Sequence, residues 1–239
     1  MAKTRRSKTK STKPAGVFRR LRRRVLRGVL IVFVLLTLWI LSYGVFPVPG
    51  TFYMLAESGR HGQMVDYHWT PMERMSPHLA RAVVAAEDAN FCNHWGFDLG
   101  AIRSAIAEGG NRGASTITQQ TVKNAFLWHG RSWPRKALEA LLTPVVELTW
   151  SKKRILEVYL NIAEFDTGVF GAEAAARHYF GVGPEELTPT QAARLAAVLP
   201  APKSRNAGNP GPFVRQRAAQ IVDGAATILR DGRASCFED

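Results

Sequence analysis

Apolar positions along the chain fall into three regimes. Residues 1–27 hold few of them, Gly28–Phe46 (GVLIVFVLLTLWILSYGVF) hold little else, and from about Ser76 they recur every three or four residues. The middle stretch is 19 residues without a charge, and the next charged residue is Glu57. That length matches the roughly 20 residues a helix needs to cross ~30 Å of hydrocarbon. The pattern predicts a transmembrane helix over 28–46, against two competing readings, a cleaved signal peptide and a buried core helix. The run is longer than a typical signal-peptide core and lacks a small-x-small cleavage site, while Trp39 and Tyr43 suit an interfacial belt.

Beyond the span, VPGTFYMLAESGRHGQ mixes Gly, Pro and aromatics and reads as an exit linker, 47–70. Ser76-Pro77 then places a capping hydroxyl before a first-turn proline, and Leu79, Val83 and Ala86 follow at helical spacing, predicting a helix that ends near Glu87. STITQQTVKNAFLW predicts a second helix capped by Ser115 or Thr116, and Trp133 to Trp150 a third, despite Pro144. Ser151 caps a fourth, whose stripe is Ile155, Leu156, Tyr159 and Leu160. Thr188, Pro189 and Gln191 form a capping box for a helix through Leu199, and a last helix runs over about Val214 to Leu229. Strand-like alternation is scarce and no internal repeat occurs. The fold class is therefore mainly α, with one helical domain over 71–239 behind a single N-terminal span.

Charge changes the picture at one end. The formal net charge of +13 suggests nucleic-acid binding until its distribution is considered. Twelve Lys or Arg and no acid lie within residues 1–27, which leaves twenty bases against nineteen acids elsewhere. A basic tail directly against a span is retained on the cytoplasmic side and drawn to the membrane surface. The expected topology is a cytoplasmic N-terminus, a single pass through the cell inner membrane and a periplasmic domain, with no nucleic-acid partner. Two cysteines, Cys92 and Cys236, stand far apart in sequence with nothing in their spacing to pair them, and both are expected to be free. There is no CxxC pair or HExxH motif, which argues against a dedicated zinc site.

Three clusters carry candidate chemistry. In EDANFCNHWGFD (87–98), Glu87 falls on the helix side of Leu79 and Val83, at the lip of an apolar wall where desolvation makes a carboxylate a better base. Asp88 and His94 are candidates to orient it or cap the next turn, and Gly96 lets that turn close. Alone, the motif is weak and reads more readily as a solvated acidic helix end. In GASTITQQTVKN (113–124), a helix start rich in hydroxyls offers N–H groups to oxyanions, and Gln119 and Lys123 share a face beside Gln120. In RKALEALLTPVVELTWSK (135–152), Glu139 is flanked by Arg135 and Lys136 at helical spacing, a set suited to an anionic phosphate ligand, with Glu147 the alternative for any role of Glu139.

In order and spacing these three stretches resemble the successive signature motifs of the peptidoglycan glycosyltransferases, the family shared with the N-terminal domains of bifunctional penicillin-binding proteins. The similarity covers roughly Pro71 to Pro210. LWHGRSWPRK, LTWSKKRILEVYLNIAEFDTGVFGAEAA and AAVLPAPKSRN look most like its monofunctional members, and no room remains for a transpeptidase domain. The resemblance implies a lysozyme-like helical fold that polymerises lipid II onto a growing glycan chain with release of undecaprenyl pyrophosphate. It implies Glu87 as general base. Glu139 with Lys123, Arg135 and Lys136 would hold the pyrophosphate, with or without Mg²⁺ or Mn²⁺, and Ser115, Thr116, Gln119 and Gln120 fall in the substrate-contacting stretch. The lipid tail requires a domain lying against the bilayer, for which Trp128 and Trp133, with Phe126, Leu127 and Arg131, are candidates; an ordinary core is the other reading of these aromatics. Other cell-wall synthesis proteins are the expected partners. Two departures stand out: Ala114 replaces the usual second Gly, and Asp166-Thr167-Gly168 lacks the usual Gly before Asp. A lysozyme-like or lytic hydrolase and an inactive membrane-anchored scaffold remain as rivals.

Overall fold

The computed structural model describes residues 15–109, 113–130 and 132–238; the first half of the basic tail and Arg131 lie outside the described residues. The chain divides into two units, residues 1–42 and 43–239. The first consists, among described residues, of helix α1 (Ala15–Val45), whose last turn enters the second unit. Phe18–Val45 is long and apolar enough to cross a bilayer, and Val29 through Phe33 are all more than half exposed. A stretch apolar on every side and exposed along most of its length has the character of a lipid-facing span.

The second unit is built from short helices. They are α2 (Phe52–His61), α3 (Pro77–Glu87), α4 (Leu99–Ala107), α5 (Ile117–Phe126), α6 (Trp133–Thr149), α7 (Lys152–Ile162), α8 (Gly171–Phe180), α9 (Pro189–Val198), α10 (Pro212–Arg230) and α11 (Ser235–Glu238). One packed group is α3, α9 and α10; another is α5 with α6 and α7. Helix α7 supplies much of the centre: Ile155, Leu156, Val158, Tyr159, Leu160 and Ile162 are all essentially inaccessible, each side chain worth roughly 1.5–3 kcal/mol against exposure. Three short strands, β1 (Asp66–Tyr67), β2 (Glu164–Asp166) and β3 (Val169–Phe170), form a sheet in the order β1-β3-β2, with β1 parallel and β2 antiparallel to β3.

Local chemistry explains most boundaries. Thr116 accepts from Gln119 N while Gln119 reaches back to Thr116 N, so the hydroxyl that caps α5 is Thr116 and not Ser115. The expected capping box at Thr188 and Gln191 is present, and Ser151 caps α7 through Arg154 N. Pro144 sits inside α6 without ending it. Ser76 begins α3 but its hydroxyl donates to Leu187 O, so it staples α3 to the segment before α9 and makes no cap bond.

Two expectations are overturned, and one helix stands where no element was read. The 47–70 linker contains α2, capped by Thr51 and ended by left-handed Gly62, together with β1. Its buried positions are Met54 and Glu57, so a carboxylate stands where periodicity calls for an apolar residue. Helix α4 was not anticipated: Asp98 caps it through Ala101 N at 2.8 Å, but Leu99 and Ile106 are exposed and only Ala105 is buried, leaving no core-facing stripe to read. Finally, Cys92 and Cys236 are joined in a disulfide and are not free thiols. Chain folding brings α11 against the turn after α3, where Phe237 is buried beside Phe91 and Arg81 makes a two-point ion pair with Glu238.

Candidate active site

The C-terminus of α3 delivers Glu87 and Asp88. Leu79, Val83 and Glu87 share a face, and the two apolar members are fully buried. Asp88 is also buried, and its carboxylate is fully committed: one oxygen lies 2.8 Å from His94 Nε2, the other accepts from Ile117 N at 3.0 Å. This is why the first cluster and the second meet. Asp88 ties the end of α3 to the first turn of α5, while Thr116 donates to Gly96 O at 2.7 Å from the other side. The turn can pass there only as glycine: Gly96 has φ +83°, and a Cβ on it would lie 2.6 Å from Thr143 Cγ2.

Docked in this way, α5 presents Gln120 to Glu87. Gln120 Nε2 donates to Glu87 Oε2 at 2.8 Å, and Gln120 Oε1 accepts from the hydroxyl of fully buried Tyr159 at 3.2 Å. Burial pushes the Glu87 carboxyl above the usual range; the Gln120 bond and the charges of Arg217 and Lys123 oppose it, and Asp88 adds to it. Gln119, by contrast, turns its Oε1 back to Thr116 N at 3.1 Å in the capping box, and Thr116, the other member of that box, also lines one of the hollows beside Glu87.

The third cluster forms as its spacing implied. Glu139 is buried on α6, one oxygen paired with Arg135 Nη1 at 2.8 Å and the other with Lys136 Nζ, which also reaches Ser115 Oγ at 3.3 Å. Lys123 belongs to the same field. Burial pushes its ammonium below the usual range, Glu139 opposes that, and Arg135 and Lys136 reinforce it. A divalent ion fits poorly at Glu139, because both of its oxygens are already held by cations and a third cation stands close. Glu147 does not substitute for Glu139. It accepts from Thr118 Oγ1 at 2.5 Å and Lys152 Nζ at 2.8 Å, pinning α5, α6 and α7 together.

Two hollows flank the Glu87–Gln120 pair. One, of about 440 Å³, is lined by Gln120, Lys123 and Tyr159 together with Tyr53, His129, Glu164 and Lys203. The other, of about 450 Å³, is lined by Glu87, Asp88, Asn90, Ser115, Thr116 and Arg217. The first has Lys123 and Lys203 on its wall together with the carboxylate of Glu164. Lys203 stands 2.6 Å from the buried carboxylate of Glu57, and burial drops the imidazole of His129 to about 4, leaving it neutral against the ring of Tyr53. Such an arrangement can hold an anionic group on one side of a desolvated base and a proton donor on the other.

The sequence reading missed Tyr53, Glu57, His129, Glu164, Lys203 and Arg217. Tyr53 and Glu57 lay in the supposed linker, Lys203 in a loop and Arg217 on a helix read only as the last element, so spacing within one element could not group them. Tyr159 was recognised only as part of an apolar stripe, and its hydroxyl carries a further role. Ala114 has no positive φ, so its replacement of glycine costs no backbone strain. Trp128 and Trp133 are exposed, whereas Phe126 and Leu127 are core residues. Among the described residues no group of three or more His, Cys, Asp or Glu is placed to hold a metal ion.

A family model described as Transglycosylase matches residues 55–226. A protein of Jannaschia sp. (strain CCS1) is 58% identical over 238 residues, covering 99% of both chains. One from Ectopseudomonas mendocina (strain ymp) is 50% identical over 86% of this chain and 88% of its own, and one from Caulobacter vibrioides is 45% identical over 90% and 97%. All three are named biosynthetic peptidoglycan transglycosylase.

Proposed function

The chain belongs to the transglycosylase family, and from that premise we propose that Glu87 is the general base with which it extends peptidoglycan strands. The protein is an enzyme, a glycosyltransferase that polymerises glycan strands. In the reading proposed here, the acceptor is lipid II and the donor a growing chain still linked to undecaprenyl pyrophosphate. The acceptor's 4-hydroxyl attacks the donor's anomeric carbon, its proton passes to Glu87, and the bond from that carbon to the diphosphate oxygen breaks. Attack from the opposite face converts an α-linked donor into a β-1,4 bond.

The observation that carries this is the position of Glu87, a desolvated carboxylate between two hollows, one of which is lined by Lys123 and Lys203. Negative charge grows on the departing diphosphate, and fixed ammonium and guanidinium groups stabilise it more in the transition state than before it. Lys123, backed by the Arg135–Lys136–Glu139 group, suits that task, with Ser115 at its edge. A divalent ion would be held by the diphosphate's own oxygens rather than by Glu139. Polymerisation of labelled lipid II with and without EDTA separates the two sources of positive charge.

The experiment on the base is Glu87→Gln in the detergent-solubilised full chain. Polymer should vanish while the far-UV spectrum is kept; retained polymerisation would overturn the assignment. Cleavage of finished peptidoglycan by the unmodified protein, without polymer, would favour a hydrolase instead.

Two features support a periplasmic domain on an inner-membrane anchor. The basic residues precede the apolar helix, and a Cys92–Cys236 disulfide belongs in an oxidising compartment. Alkaline phosphatase fused to the C-terminus should be active in cells and a green fluorescent protein fusion dark; the reverse pattern would invert the topology. Trp133, Leu141 and Leu148 are about 70–90% exposed on α6, a surface suited to dipping into the bilayer interface where the lipid-linked substrates lie. Charging it, as in Leu141→Glu with Leu148→Glu, should weaken binding of the domain to vesicles.

A further inference from the structure

Helix α10 comes unusually close to α3. A Cβ placed on Gly224 would lie 3.3 Å from the Cβ of Ala85, so the two helices meet almost backbone to backbone at the turn that ends in Glu87. Two helical turns earlier on α10, Arg217 extends along this contact. Its Nη2 donates to the carbonyl of Ala86 at 3.3 Å, the residue immediately before Glu87, and its Nη1 to Gln220 Oε1 at 3.4 Å. Its side chain shares the wall of one hollow with Glu87 and Asp88.

We propose that Arg217 is a positioning residue for Glu87, clamping the last turn of α3 and supplying a fixed positive charge at the wall of the hollow that Glu87 lines. The inference rests on the reading of Glu87 as base and deepens it. A base must be ionised to take a proton, yet the desolvated surroundings that make Glu87 effective also favour its neutral form. The charged and titratable groups around it are Asp88 on its own helix, Lys123 on α5, Tyr159 on α7 and Arg217 on α10. Asp88 works against ionisation and buried Tyr159 is neutral. Lys123 is shared with Glu139 and faces the opposite hollow. Arg217 is the cation whose own hydrogen bond fixes it to the segment that carries the base, and a guanidinium stays charged at every working pH.

The test is the pH profile of lipid II polymerisation by the full chain, comparing wild type, Arg217→Gln and Arg217→Lys, with circular dichroism at each pH as the folding control. The acid limb for Arg217→Gln should move to higher pH, so that its loss of rate is greatest in acid and closes in alkaline buffer. Arg217→Lys keeps the charge and should keep the limb near its wild-type position. A uniform loss in Arg217→Gln at every pH, or an unmoved acid limb, would overturn the proposal. Glu87→Gln separates the two levels of inference. If it polymerises, the base assignment itself fails; if it is inert while the Arg217→Gln limb stays put, only the role of Arg217 fails.

Discussion

Replacing Cys236 by Ser cuts the covalent tie between α11 and the turn that follows Glu87. The bond closes a loop with a sequence separation of 144. In the chain-entropy picture, a loop of that size removes enough freedom from the unfolded chain to be worth about 5 kcal/mol. The measured cost should be smaller, about 2–4 kcal/mol, because real unfolded chains are already compact. The native arrangement has its own supports: Phe237 is buried, Arg81 holds Glu238 at 2.5 and 2.9 Å, and Arg233 donates to Ala89 O at 3.0 Å. The effect therefore falls mainly on the unfolded state, and the melting temperature should drop by roughly 10 °C. Thermal unfolding of the detergent-solubilised full chain, followed by near-UV circular dichroism with and without a phosphine reductant, provides the measurement. Reductant should bring wild type to the behaviour of Cys236→Ser and leave the variant unaffected. A variant that melts with wild type, or two reactive thiols in the unreduced protein, would refute the reasoning.

Glu87→Gln should be inactive yet at least as stable as wild type at pH 8. Burial raises the folded-state pKa of Glu87, so the folded protein binds that proton more tightly, and stability falls as pH rises from the ordinary carboxylate range through the raised value. Urea midpoints at pH 5 and pH 8 check this, and a Gln variant weaker than wild type at pH 8 speaks against it. Gly96→Ala must meet Thr143 at 2.6 Å in a left-handed conformation and should cost about 1–3 kcal/mol, with polymerisation reduced because the same turn seats α5. An unchanged urea midpoint would show that the turn relaxes freely. Thr116→Ala removes the α5 cap and should cost about 1 kcal/mol, which Thr116→Ser should largely restore.

Much of this protein is written locally. A helix long and apolar enough to cross a bilayer follows from 19 uncharged residues, because the thickness of hydrocarbon fixes the length of helix that crosses it. The helices with buried stripes and side-chain caps, at Thr116, Ser151 and Thr188, are likewise legible, since a cap and a 3.6-residue period both act within one element. The pairing of Glu139 with Arg135 and Lys136 is a matter of one helical turn. Helices α2 and α4 escaped because one buries a carboxylate and the other buries almost nothing, so neither shows an apolar period.

What only the tertiary structure decided are contacts between residues far apart in sequence. Composition could not say whether Glu87 was solvated; the fold largely buries its carboxyl, with Gln120 bonded to it, Tyr159 bonded to Gln120 and Arg217 sharing its hollow, all from three other helices. It could not separate Gln119, turned back into its own cap, from its neighbour Gln120, which points into the site. Nor could it pair two cysteines 144 positions apart, because a disulfide depends on where the folded backbone brings two Cβ atoms together and spacing along the chain says nothing of that.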